Sequence, residues 1–263
     1  MKDFFRYVTD IPAGSGFELF GVCHIRWLIV IAVFTVILCV VYNKAGSSNN
    51  SNMQGRIRMI IGIIMPLISI YRDVVLMLTG HFDRYYLPLH LCGMALWIGA
   101  LYCFTRWRFA GVVYVLLCVP GALSALIFPD WVDYPFWNYM HIHDFTSHGL
   151  IVAWGICLLV SGEVVPEWKE LWMPVVFGIA GVAILTPVNK WLGTNYWFLG
   201  RPSPGSPLVY IMSITGENWY MAGYILFVAF VLLIWICIIR TIRNVQLKMS
   251  AKLKHISRLE SRK

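Results

Sequence analysis

Seven apolar runs, each close to the length a bilayer demands, constrain this chain more than any motif in it. They lie at about residues 25–43, 59–80, 87–104, 109–128, 146–162, 171–191 and 219–239. A helix rising ~1.5 Å per residue crosses the ~30 Å hydrocarbon core in about 20 residues, and about 17 suffice at the short end. Charged residues make up 13% of the chain, where a soluble domain carries about 25%. The fold class this predicts is all-α: a polytopic transmembrane bundle of seven helices over residues 25–239. A 24-residue N-terminal segment precedes it, and a tail over 240–263 follows. The fifth run is the weakest, diluted by Gly149, Gly155 and Gly162. The first begins only at Trp27 and is followed by Asn43 and Lys44 with no small-residue cleavage site, so it reads as a retained helix.

Lys and Arg in the loops set the orientation. With the N-terminus outside, fourteen lie on the cytoplasmic side, eight of them in the tail after Ile239, and six lie outside. The outer loop between the fourth and fifth runs holds Asp130, Asp133 and Asp144 and no Lys or Arg. The N-out/C-in arrangement is therefore expected, with residues 1–24 extracytoplasmic. The net charge of +8 is concentrated at run ends and in the tail, which argues against a nucleic-acid partner. Val245, Met249, Leu253, Ile256 and Leu259 recur at helical spacing between Lys248, Lys252, Lys254 and Arg258. That pattern fits a basic amphipathic helix on the anionic inner leaflet, or a positive topology anchor. Residues 46–52 (Gly-Ser-Ser-Asn-Asn-Ser-Asn) form a polar linker. Seven cysteines, an odd number set mostly in apolar runs, do not suggest a disulfide framework.

Ionisable groups inside a bilayer are costly and tend to mark working sites. Arg72 and Asp73 fall in the second run; neighbours on a helix point ~100° apart, so they are not expected to pair side by side. In Leu87-Pro88-Leu89-His90-Leu91-Cys92, the proline reads as the first turn of a helix starting at Leu87. His90 and Cys92 then project to different faces, and His90 does not serve as the base for Cys92. His148 does better: it lies ~5–6 Å into a helix counted from Asp144, near the depth of Cys92. His141 and His143 read as loop residues, solvated or interfacial. Asn189, at the end of the sixth run, could orient an imidazole or polarise a carbonyl. Topology thus gathers Asp73, His90, Cys92, His148 and Asn189 at the outer end of the bundle. A thiol beside an imidazole can act as a nucleophile. No ligand pair stands at zinc spacing, although His141, His143 and Asp144 are close in sequence, and no phosphate-binding loop or dinucleotide fingerprint is present. No metal and no cofactor are expected.

At these residues the chain resembles the YwaF-type bacterial integral membrane proteins, related to the eukaryotic transmembrane protein 164 family. The resemblance runs from about Phe17 to Arg240. Its blocks are Leu87 to Cys92, Gly121-Ala122-Leu123 through Phe128-Pro129-Asp130, His148-Gly149, and Asn189 with Asn195-Tyr196, Leu199 and Pro202. The resemblance implies a multi-pass protein of the bacterial cytoplasmic membrane. The eukaryotic branch implies cysteine-dependent acyl transfer between phospholipids, with Cys92 and His148 as the catalytic pair. His90, Asn189, Asp73 and Arg72 are left as substrate-side candidates, and a lipid of the outer leaflet as the substrate. A hydrolase with the same pair, or a transporter or membrane-complex subunit using Arg72, Asp73 and the Pro120-Gly121 break, are the alternatives.

Overall fold

A computed structural model describes residues 3–47 and 51–260. Lys2, linker residues 48–50 and the side chains of the tail's amphipathic pattern from Met249 onward lie outside the described residues, while Val245 and Lys248 are exposed. Nine α-helices follow one another, with no strand among the described residues. These are α1 (Val22–Ser47), α2 (Ser51–Leu78), α3 (Leu91–Thr105), α4 (Arg108–Val113), α5 (Val119–Ile127), α6 (Tyr139–Ser161), α7 (Trp172–Leu192), α8 (Leu208–Thr215) and α9 (Tyr220–Glu260). Among the described residues, seven helical segments are long and apolar enough to cross a membrane, matching the seven runs. The fourth of them is built from α4, a π-helical turn at Tyr114–Cys118, and α5. Pro120, in the first turn of α5, has no N–H to donate, and the widened turn before it absorbs the interruption. Helix α8 has no counterpart among the runs. Its eight residues are too few to span, and Pro202, Pro204 and Pro207 stand before it.

Helix α6, from the fifth run, is the packing centre, the reverse of its standing in the sequence. Of its most apolar stretch 67% is buried within the protein, against 11% for α7 and 17% for α9. Its glycines are the reason. A Cβ on Gly149 would press on Ile31 of α1, and one on Gly155 would overlap Val119 of α5. Small residues let backbones approach closely where lipid supplies no hydrophobic drive. Helices α7 and α9 remain at the periphery.

The bundle's two ends are built differently. At the end where α3 and α6 start, the N-terminal segment lies across the helices as a strap. Asn138 Nδ2 donates to the carbonyls of Asp3 and Arg6 at 2.9 and 2.8 Å. Tyr7 stacks on His81 and is joined to Tyr86 through their hydroxyls, and His81 faces Asp10 at 3.1 Å. At the opposite end, Glu163 sits in the turn after α6 with its side chain 9% exposed. Tyr42 of α1 donates to it at 2.8 Å, Arg58 of α2 at 3.1 Å and Tyr102 of α3 at 3.4 Å, with Arg106 at 3.8 Å. One carboxylate thus ties three helices to the end of a fourth.

Removing one partner of a buried pair strands the other charge, at a cost of about 3–5 kcal/mol. Glu163→Ala should therefore lower the midpoint of thermal unfolding in detergent by several degrees. Lys169→Ala, which breaks only the exposed contact to Glu167, should leave it unchanged. Gly155→Ala should cost about 1–3 kcal/mol by overpacking against Val119, read in the same assay.

Candidate active site

Cys92 owes its position to Pro88. The residue before a proline prefers extended backbone, and Leu87 obeys, with φ −54° and ψ 145°. The chain makes a 3₁₀ turn at Arg84–Tyr86 and a tight turn at Pro88 and Leu89, where the Leu89 N–H donates to the Leu87 carbonyl at 2.6 Å, is extended at His90, and becomes helical only at Leu91. The expected start at Leu87 is thus corrected by four residues, because the proline sits in the approach rather than in the first turn. Gly93 then fits under Pro88, where a Cβ would lie 3.2 Å from the proline Cα. Cys92 occupies the first turn of α3. Met94 is the first residue of the helix whose N–H bonds back, to the His90 carbonyl at 2.9 Å. The N–H groups of Leu91, Cys92 and Gly93 have no acceptor within the helix.

His148 is fixed from three sides. Its Nδ1 lies 2.7 Å from the Asp144 carbonyl. A carbonyl only accepts, so Nδ1 carries the proton and the lone pair is left on Nε2. Trp131 stacks on the ring, centroids 5.0 Å apart and planes 19° from parallel. On the third side the Cys92 thiol lies within electrostatic reach of the same imidazole. The depth argument that paired these residues changes in detail. Helix α6 starts at Tyr139, capped by Asn138, so His148 lies ~13 Å along it rather than 5–6 Å. Cys92, in turn, is at the very start of its own helix. The two meet because α3 begins deep in the bundle, below the Arg84–His90 approach.

Acidic groups surround the pair. The Asp144 carboxylate stands 3.0 Å from His143 Nδ1. Asp130 follows α5, is solvent-accessible, and accepts from the buried Ser203 hydroxyl at 3.3 Å. Enclosure by the protein, and then the charge of Asp144, push the Asp130 carboxyl above its ordinary value, while His148 pulls it back. The Tyr85 phenol lies within electrostatic reach of Asp130, Cys92 and Asp144. These groups can take up a thiol proton, hold the resulting imidazolium and keep the ring in one orientation.

The other candidates divide. His90 caps α3 with its backbone, wedged against Tyr85 and Tyr196 at 4.7 and 5.0 Å, its buried Nε2 without a hydrogen-bond partner in the protein. Asn189 does not reach the imidazole. Its Oδ1 accepts from Thr194 Oγ1 and the Tyr196 N–H, and its Nδ2 donates to the Tyr196 carbonyl, holding the loop after α7. Arg72 and Asp73 do pair, contrary to expectation. The long arginine folds back so that Nε and Nη2 reach Asp73 Oδ1 at 2.9 and 2.6 Å. Nη2 also donates to the Tyr86 carbonyl, and the guanidinium lies 5.6 Å from the Tyr86 ring centre. His141 and His143 are buried residues of α6, not loop residues. His141 accepts from Trp27 Nε1 at 2.8 Å and bonds the Tyr134 carbonyl, a structural role. The contact of Trp131 with His148 had no signal in the sequence beyond its place next to Asp130. No group of three His, Cys, Asp or Glu side chains is arranged to hold a metal among the described residues.

Comparison with curated proteins and with solved structures returns no match to this chain. The family model of the TMEM164 family matches residues 19–240. That span takes in all seven membrane-crossing helices, apart from the last turns of α9, and every residue of the Cys92–His148 cluster. With seven helices of spanning length and a match over most of its sequence, the chain is a multi-pass membrane protein and belongs to the TMEM164 family.

Proposed function

We propose that this protein is a cysteine-dependent acyltransferase acting on membrane lipids, a YwaF-type bacterial member of its family in the cytoplasmic membrane. What supports the reading is the Cys92 thiol within electrostatic reach of a His148 ring whose proton is pinned on Nδ1 by the Asp144 carbonyl. In the first step Nε2 takes the Cys92 proton and the thiolate attacks a lipid ester carbonyl. The C–O bond breaks, the imidazolium gives its proton to the departing alkoxide, and an acyl-thioester remains on Cys92. In the second step Nε2 takes the proton of a lyso-lipid hydroxyl, that oxygen attacks the thioester, and the proton returns to the sulfur. The unpaired N–H groups at the start of α3 lie where they could stabilise the oxyanion of each tetrahedral intermediate.

The excess of Lys and Arg in the other loops and the tail supports an orientation with this end outside, level with outer-leaflet lipid esters, and the basic tail against the anionic inner leaflet. A hydrolase would use the same first step, with water as acceptor. The transporter reading leaned on Arg72 and Asp73, and it loses support because the two neutralise one another and bond to Tyr86.

A phospholipid carrying a labelled acyl chain should transfer label to the wild-type protein in a hydroxylamine-sensitive bond. Cys92→Ser should abolish this, and His148→Ala should slow it about 10²–10⁴-fold. Cys237→Ser, at an exposed thiol on α9, should change nothing. Label retained in Cys92→Ser, or full lipid remodelling by both site variants, would sink the proposal. Added lyso-lipid separates the acceptors: the labelled chain appears in phospholipid for a transferase and as free fatty acid for a hydrolase.

A further inference from the structure

We infer that Gly16 and Phe17 are positioning residues for His148, acting through Trp131, the indole they hold against its imidazole. The inference rests on the reading of His148 as the base for Cys92 and brings the N-terminal segment into the site. A single hydrogen bond, from Nδ1 to the Asp144 carbonyl at 2.7 Å, fixes one edge of the imidazole and by itself leaves the ring free to pivot. The indole face of Trp131, 5.0 Å away and 19° from parallel, sets the plane and so the direction of the Nε2 lone pair. That direction matters, because a base must be aligned within about 3 Å of the proton it takes. Yet nothing polar holds Trp131 in turn. Its Nε1 is buried with no hydrogen-bond partner among the described residues. Its place is inherited from its backbone and from the rings around it.

Both supports lead back to Gly16 and Phe17. Trp131 lies between α5 and α6, where residues 128–138 form no helix. The Phe17 N–H donates to the carbonyl of Val132, the residue after Trp131, at 2.8 Å. Gly16 makes this approach possible: a Cβ there would overlap the Val132 carbonyl oxygen and stand 2.8 Å from the Asp133 Cα. The Phe17 ring supplies the second support. It lies 5.6 Å from Phe145, which is fully buried and meets Trp131 edge-on at 5.2 Å. Farther along, the Tyr139 N–H donates to the Phe4 carbonyl at 2.8 Å, and Asn138 donates to the carbonyls of Asp3 and Arg6. The N-terminal segment therefore grips the α5–α6 connection at Val132 and again where α6 begins. Only the first grip bears on Trp131.

The test uses the full chain in lipid nanodiscs with isotope-labelled histidine. The NMR signal of the His148 ring, assigned as the one lost in His148→Ala, should lie upfield in wild type under the ring current of Trp131. Trp131→Ala should remove that displacement. Gly16→Ala should remove it as well, and should slow acyl labelling of Cys92 by the labelled phospholipid about 10–10²-fold at saturating donor, with the half-saturating concentration unchanged. Because the effect passes through Trp131, adding Gly16→Ala to Trp131→Ala should cost nothing more, where two unrelated lesions would multiply. Gly178→Ala, with open space around it on α7, should match wild type in both readings. Phe17→Ala keeps the N–H and removes the ring, so it should move the same signal part of the way; it serves if Gly16→Ala does not fold. A wild-type His148 signal in Gly16→Ala or in Phe17→Ala, or full multiplication with Trp131→Ala, overturns the positioning role. If His148→Ala itself labels at the wild-type rate, it is the base reading that falls, and the ring signal still decides whether Gly16 and Phe17 set the imidazole.

Discussion

The close approach of α6 to its neighbours is the contact on which the rest of the structure depends. With lipid outside, helices gain little hydrophobic free energy by associating, and packing at short range must hold them. Gly149 admits Ile31, and Gly155 admits Val119, so α6 lies tight against α1 and α5 at once. His148 is the residue before one of these contacts. Its ring has no room to drift, because the helix that carries it is clamped beside it and Trp131 covers its face.

A site set in that way draws its precision from elements far apart in sequence. Cys92 comes from an interrupted approach to α3, His148 from the middle of α6, and Trp131 and Asp130 from the short loop between α5 and α6. Ser203 comes from the segment after α7. The strap formed by residues 3–10 closes the same end, through Asn138, the residue that also caps α6. One side chain therefore links the entry strap to the helix that carries the imidazole.

The spans were legible because a bilayer imposes length and apolarity on every crossing helix. So was the gathering of Cys92 and His148 at one end, since alternate crossings return to the same face. Finer geometry was hidden where a rule about direction meets a long or constrained side chain. Adjacent helical residues do point apart at Cβ, yet the three methylenes of Arg72 let its guanidinium swing back to Asp73. Pro88 suits a first helical turn and an extended approach equally well, and only the packing of Gly93 beneath it shows which was taken. His141 and His143 looked like loop residues because polar side chains lowered the apparent hydropathy of a helix whose first turns are buried by protein rather than lipid. Asn189 was legible as a polar residue at a helix end, but not the loop that consumes its amide.

The two ends of the bundle satisfy their carboxylates in different ways. Glu163 meets two guanidiniums and two phenols. Arginine keeps its charge at any ordinary pH, so these guanidiniums act as a fixed tie on the carboxylate. The Cys92 end pairs its carboxylates with imidazoles instead, His143 on Asp144 and His148 within reach of Asp130. Buried polar atoms without a partner among the described residues occur at both ends, on His90, Trp131, Tyr139 and His143 here and on Arg58 Nε beside Glu163. Such atoms cost stability and call for a reason. A bundle that satisfies one carboxylate with arginines at one end and sets histidines beside acids at the other is tied by two different kinds of polar contact.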